Sequence, residues 1–302
     1  MYDAYVAYHA RMRPRALAVV TPSRLATYAE FDADVNRYAA GLQALGVGPE
    51  RGVVSVETQQ KYRQLVMLMA LARLGVATGV SSDPQSDLRI SDRSGESDAR
   101  TLRLSRAWIS QVEQASPAEV PSAPRDPDGL SRVLLSSGTT KTARRVPTSW
   151  RRRMEGHITA LGAYASGRLG VWAIRTGIDS GMGNAQALLA WTIGAAVADG
   201  FPSADLPGLM ERHPEGLLSL TPIQLREVLL ALPPGYDQKP GWRVVVAGAA
   251  MPAALARAAR SRLTPDIIIS YGAAEAGRAC VGPASLLEAN PGAIGWPVPE
   301  VV

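Results

Sequence analysis

Hydrophobic positions recur along this chain with two periods, and the alternation between them predicts the elements. Thr27-Tyr28-Ala29-Glu30 places a hydroxyl and a carboxylate three residues apart, the pattern of a capping box at a helix start. Phe31, Val35, Tyr38, Leu42 and Leu45 then follow at helical spacing, with Gly46 or Gly48 as the stop. A buried strand is expected over Val53 to Val56 after the Pro49 to Gly52 turn, then a helix from about Gln60 to Leu74 closed by Gly75, then a second apolar run from Val76 to Val80. This is a βαβ-like pattern. Residues 81 to 105 and 116 to 128 hold few large apolar groups and are expected to be surface connections. Val133 to Leu135 predicts a short strand that empties into Ser136-Ser137-Gly138-Thr139-Thr140. Further on, Ile158 to Ala165, Leu188 to Val197 and Leu225 to Leu232 read as helices. Leu217 to Leu220, Val244 to Val246 and Ile267 to Ile269 are short enough to be buried parallel strands.

Composition narrows the class. Apolar residues at 46% and charged residues at 20% fit a globular protein and exclude disorder as its main state. The 302 residues predict two domains, or one large unit of two lobes, at roughly 150 residues each. The net charge of +5 is small for this size, and all but Lys61, Lys141 and Lys239 of the 32 basic residues are arginine. That reads as a compositional habit, so no nucleic-acid partner is expected although Arg144, Arg145, Arg151, Arg152 and Arg153 cluster. A single cysteine, Cys280, excludes an intramolecular disulfide and a multi-cysteine zinc site, and His9, His157 and His213 form no metal-ligand helix. No leader is recognisable in the charged first 20 residues. The longest largely apolar stretch, Ala187 to Ala198, is 12 residues, too short for a membrane span. A cytoplasmic location is the expectation.

The most informative segment follows Leu135. Closely spaced hydroxyls around a glycine can cradle phosphate, although Ser/Thr-rich turns are more often solvated loops, and the Walker spacing is absent. Order along the chain decides between these readings. Ser136-Ser137-Gly138-Thr139-Thr140, followed by Arg144, Val146 and Ser149, resembles the phosphate loop of adenylate-forming enzymes, the superfamily of acyl- and aryl-CoA synthetases, luciferases and peptide-synthetase adenylation domains. In that family's order come Thr27 to Val47, similar to its opening helix, and Ala247-Gly248-Ala249-Ala250-Met251, similar to its G-G-A loop. Tyr271-Gly272-Ala273-Ala274-Glu275 resembles its Y-G-x-T-E, and Pro291 to Pro297 its P-G-s-v-G-x-P. Ser180-Gly181-Met182-Gly183-Asn184-Ala185 looks like a segment of benzoate-type aryl-CoA ligases; a Gly-rich helix start with Asn184 as its cap is the other reading.

The resemblance implies an α/β fold, a two-lobed core of largely parallel sheets flanked by helices. It corresponds to the N-terminal domain of an adenylate-forming enzyme, with lobes around 1–150 and 151–302 and the C-terminal lid domain absent. It implies a ligase that activates a carboxylic acid, aromatic acids among the candidates, with ATP to an acyl-AMP. A thioester with CoA or a carrier protein's phosphopantetheine would follow. Ser136, Ser137, Gly138, Thr139, Thr140 and Lys141 would hold phosphates, with Arg144 offsetting their charge. Glu275 would hold Mg²⁺. Tyr271 and Gly272, with Ala249 and Ala250, would lie along the adenine, and Ala274 beside the AMP phosphate. The acid would sit near Asp179, Ser180, Gly181, Gly183, Asn184, Ala276 and Gly277. Residues from both halves would build the nucleotide site.

Several positions depart from the family. Lys141, Ala143, Arg144 and Arg145 stand where it has Gly, Pro, Lys and Gly, Trp150 replaces a His, and Ala274 replaces a Thr hydroxyl. These departures favour the alternative, a non-catalytic nucleotide- or acyl-binding module. On other readings Glu275 is a carboxylate at a helix start and Tyr271 is core packing.

Overall fold

A computed structural model describes residues 2–93, 98–136, 143–165 and 170–299, and the chain divides into two compact units, residues 1–153 and 154–302.

The first unit opens with α1 (Tyr2–Met12) and an antiparallel hairpin, β1 (Leu17–Thr21) and β2 (Arg24–Thr27), in which Thr21 lies opposite Arg24. The capping box then starts α2 (Tyr28–Ala44): the Thr27 hydroxyl accepts from the Glu30 N–H while the Glu30 carboxylate accepts from the Thr27 N–H. Phe31, Val35, Tyr38 and Leu42 are buried as their spacing predicts. Next come β3 (Val53–Glu57), α3 (Lys61–Arg73), β4 (Ala77–Gly79), β5 (Leu88–Ser91), β6 (Thr101–Arg103), α4 (Arg106–Gln114), β7 (Leu130–Leu135) and β8 (Arg145–Ser149). The sheet has the order β6-β5-β3-β4-β7-β8, parallel except for the β7–β8 pair.

β5 and β6 correct the expectation of a plain connection over 81–105. Their sequences, Leu-Arg-Ile-Ser and Thr-Leu-Arg, alternate polar groups into the strand, and pairing, of β5 with β3 and of β6 with β5, rather than apolar content makes them strands. α3 is buried nearly throughout and carries two arginines inward. Arg63 pairs with Asp92 at 2.6 Å and Glu113 at 3.2 Å, and Arg73 with Asp32 at 2.7 Å. Both cations therefore enter the interior with carboxylate partners, as buried charge requires.

α5 (Trp150–Ala160) spans the division and continues as a π-helical turn over 161–165. The second unit comprises β9 (Val171–Ile174), α6 (Gly181–Ile193), β10 (Ala196–Ala198), α7 (Leu206–Arg212), β11 (Gly216–Leu220), α8 (Pro222–Leu230), β12 (Trp242–Val246), α9 (Ala253–Arg262), β13 (Ile267–Ala273), β14 (Gly277–Pro283), α10 (Leu286–Ala289) and β15 (Trp296–Pro297). In space its strands run β15-β14-β13-β12-β11-β9-β10. The five from β13 to β10 are mutually parallel, while β14 and β15 are antiparallel additions at the edge. Val244, Val245, Leu217, Leu218 and Trp172, all at most 1% exposed, read as continuous apolar runs because helices cover this sheet.

The helix expected over Leu188–Val197 is corrected at both ends. α6 begins at Gly181, capped by the Ser180 hydroxyl accepting from the Gly183 N–H at 2.9 Å, and ends at Gly194, whose φ of 81° stops it. Ala196–Ala198 then forms β10, a strand of small residues whose identity comes from pairing with β9.

Candidate functional site

Parallel order places the ends of β9, β11, β12 and β13 on one edge of the second unit's sheet, and the segments leaving those ends carry most of the residues singled out by sequence. Open α/β sheets bind ligands at this carboxyl edge. After β9, the Arg175 N–H donates to the Ser219 carbonyl at 2.9 Å. After β12, the Ala247 N–H donates to the Leu220 carbonyl at 3.1 Å. The Gln224 amide, itself half of a capping box with Thr221, donates to the Arg175 carbonyl at 3.3 Å. Local caps and backbone bonds thus hold the edge, leaving other groups exposed.

Ala249 and Ala250 are exposed just past β12. β13 outruns the buried part of the sheet: Ile267 and Ile269 are in the core, whereas Tyr271 is 54% exposed. That overturns core packing as its reading. Gly272 is exposed, Ala274 is half-buried, and Glu275, Ala276 and Gly277 are exposed around the turn into β14. Glu275 therefore lies in a turn between antiparallel strands and not at a helix start.

The Asp179 to Asn184 segment divides in two. Asp179, Ser180 and Gly181 are half-buried or exposed, while Gly183 and Asn184 are buried in the first turn of α6. A Cβ on Gly183 would lie 2.0 Å from the Gly177 carbonyl oxygen, so this glycine is required by close packing at the helix start. The helix-start reading holds for Gly183, with Ser180 rather than Asn184 as the cap.

In the first unit, Ser136 follows β7 with its N–H donating to the Arg144 carbonyl at 2.9 Å and its Oγ accepting from the Arg144 N–H at 3.1 Å. Ser137, Gly138, Thr139, Thr140 and Lys141 lie outside the described residues. Arg144 is exposed, but Arg145 turns to the buried Asp83, Nε to Oδ2 3.1 Å. Trp150, where the family has His, is buried with the Arg125 guanidinium 4.9 Å from its ring. Of the remaining basic cluster, Arg151 pairs with Asp128 at 2.7 Å and Arg153 donates to the Ser131 hydroxyl at 2.6 Å.

Sequence reading missed Tyr164, Ser270 and Arg278. The Tyr164 hydroxyl donates to Ser270 Oγ at 2.7 Å and accepts from Arg278 Nε at 2.8 Å. These residues are 106 and 114 positions apart in the chain, so no local pattern announces the cluster.

A family model described as AMP-binding enzyme matches residues 6–302. The chain belongs to the AMP-binding enzyme family. Phosphinothricin tripeptide synthetase PhsC of Streptomyces viridochromogenes is 31% identical over 150 residues, 43% of this chain and 14% of that protein. The o-succinylbenzoate CoA synthetase of Bacillus subtilis, solved with the acyl-adenylate intermediate OSB-AMP, superposes with a TM-score of 0.81 at 17% identity. The match covers 97% of this chain and 63% of that one. VinN, solved in complex with L-aspartate, gives 0.83 at 17% identity over 99% of this chain and 82% of its own. At these identities the structures establish the fold of this AMP-binding family member, the α/β architecture expected from its motifs. The chain spans under two thirds of the length of the first two. Among the described residues no helix is long and apolar enough to cross a membrane, and no three His, Cys, Asp or Glu side chains gather as a metal cage.

Proposed function

We propose that this AMP-binding family member activates a carboxylic acid with ATP. A carboxylate oxygen bonds to the α-phosphorus, the bond from that phosphorus to its β-bridging oxygen breaks, and pyrophosphate leaves, giving acyl-AMP. The observation that carries the reading is the shared carboxyl edge of β9, β12 and β13, where an exposed tyrosine, two exposed alanines and the Asp179–Gly181 segment all emerge.

Two anions must be brought together for this step, so the work is positioning and charge neutralisation. The Tyr271 ring would lie along the adenine, with the Ala249–Ala250 backbone at its edge. Ser136, Ser137, Gly138, Thr139, Thr140 and Lys141 are assigned to the phosphates, with Arg144 presenting a planar guanidinium that suits phosphate oxygens. The acid is assigned to Asp179, Ser180, Gly181, Ala276 and Gly277. Glu275 offers one exposed carboxylate in a turn. That suits Mg²⁺ arriving with nucleotide phosphates, which needs only one or two protein carboxylates. When bound, the ion would offset phosphate charge. Transfer of the acyl group to the thiol of CoA or of a carrier protein's phosphopantetheine would complete the sequence.

Acid-dependent exchange of labelled pyrophosphate into ATP, run over benzoic and aliphatic acids, tests the proposal. Exchange above the acid-free rate supports it. AMP binding without exchange for any acid supports instead a non-catalytic nucleotide-binding module. Ala274 favours that second reading, because a lost hydroxyl contact to a charged phosphate costs roughly 1.5–3 kcal/mol.

A further inference from the structure

We infer that Arg278 reads a second carboxylate on the substrate, so that the acids this chain takes are dicarboxylates; this rests on the acid-activating reading above. Arg278 lies on β14 directly opposite Gly272 of β13 and follows Ala276-Gly277, the turn assigned to the acid. Its orientation is fixed before any ligand arrives. Nε donates to the Tyr164 hydroxyl at 2.8 Å, and the guanidinium carbon sits 4.4 Å from the centre of the Tyr164 ring. Tyr164 is held in turn by its hydrogen bond to Ser270.

The charge is what these contacts leave unanswered. Elsewhere in this unit Arg243 pairs with Asp266 at 3.0 Å, Arg175 with Glu227 at 3.7 Å, and Arg260 with Glu288. Arg278 is half-buried, yet among the described residues it has no carboxylate partner. A hydroxyl and an aromatic face position a guanidinium without neutralising it. With Nε already engaged, the two terminal nitrogens present the planar fork that a carboxylate accepts in bidentate fashion.

Alternation along β13 points to the acid and not the nucleotide. Ser270 and Tyr271 are successive strand residues, so their side chains leave opposite faces, and the Tyr164–Arg278 pair shares the Ser270 face, away from the Tyr271 ring.

The test uses the 302-residue chain and matched acids: butanoate against butanedioate, hexanoate against hexanedioate, and benzoate against benzene-1,3-dicarboxylate. Calorimetry without ATP should give at least one pair in which the dicarboxylate binds about tenfold or more tighter, the worth of a charged hydrogen-bonded contact. In Arg278→Gln that ratio should collapse towards one. Arg278→Lys should retain part of it, and Tyr164→Phe, which removes the acceptor for Nε, should fall between. Melting curves of the Lys and Phe variants report folding independently. No dicarboxylate preference in the unaltered chain, or a ratio unchanged in Arg278→Gln, overturns the inference. Pyrophosphate exchange run in parallel separates the two proposals. A dicarboxylate preference without exchange would sink acid activation alone, and exchange with monocarboxylates only would sink the role of Arg278 alone.

Discussion

Gly183 and Tyr271, both singled out by sequence, are constrained in opposite ways. The Gly177 carbonyl occupies the space of a Gly183 side chain, at 2.0 Å from the Cβ position. Gly183→Ala must therefore displace the start of α6, and it is expected to destabilise the chain by about 1–3 kcal/mol, measured by urea unfolding. A substitution as stable as the parent would show that the helix start is not so tightly packed. Tyr271 is the opposite case. Its ring supports no core, so Tyr271→Ala should melt within a degree or two of the parent while weakening nucleotide binding. Neither property could be read from residue types. Three isoleucines before Tyr271 suggest a buried strand, and only the sheet's geometry shows where burial stops. Gly183 was visible as part of a motif, but its steric partner comes from a turn that leaves no signature of contact.

At the scale of elements, local chemistry was legible and long-range pairing was not. The capping box at Thr27 and Glu30 lies within four residues, and it formed as read. Thr27→Ala should lower stability by about 0.5–2 kcal/mol. β5, β6 and β10 escaped because pairing partners, not their own apolar content, make them strands. α1 escaped because its anchor is ionic. Asp3 is fully buried and bonds to Arg125 at 2.8 Å and to the Ser122 hydroxyl, with Arg73 Nε 4.0 Å away. Burial pushes its carboxyl upward, but nearby positive charge, that of Arg125 included, and the Ser122 hydrogen bond outweigh it and hold the pKa below the usual value. A depressed carboxyl contributes stability above its unfolded pKa, near 3.9, and loses it as the pH falls through the folded value. Unfolding free energy should therefore drop on acidification below about pH 4 more steeply in the parent than in Asp3→Asn. At neutral pH that variant should cost about 3 kcal/mol by stripping a partner from buried guanidinium groups. Parallel acid profiles for the two proteins would contradict the assignment.

For the whole molecule, the order of motifs carried more than any motif did. Strand–helix alternation was enough for an α/β class, and five degenerate segments in sequence pointed to the family that residues 6–302 match. Chain order could not show that segments following β9, β12 and β13 share one sheet edge, because strand order in space differs from order in the chain. Nor could it find Arg278, whose setting depends on a tyrosine 114 residues earlier. On the proposed function, this edge binds nucleotide through Tyr271. Titration calorimetry with AMP tests it most directly, comparing the parent chain with Tyr271→Ala. Saturable binding by the parent and a loss of about tenfold or more in the variant are expected, as for one base stacked on an aromatic ring. An absence of binding at millimolar AMP, or equal affinity in the two proteins, would contradict it.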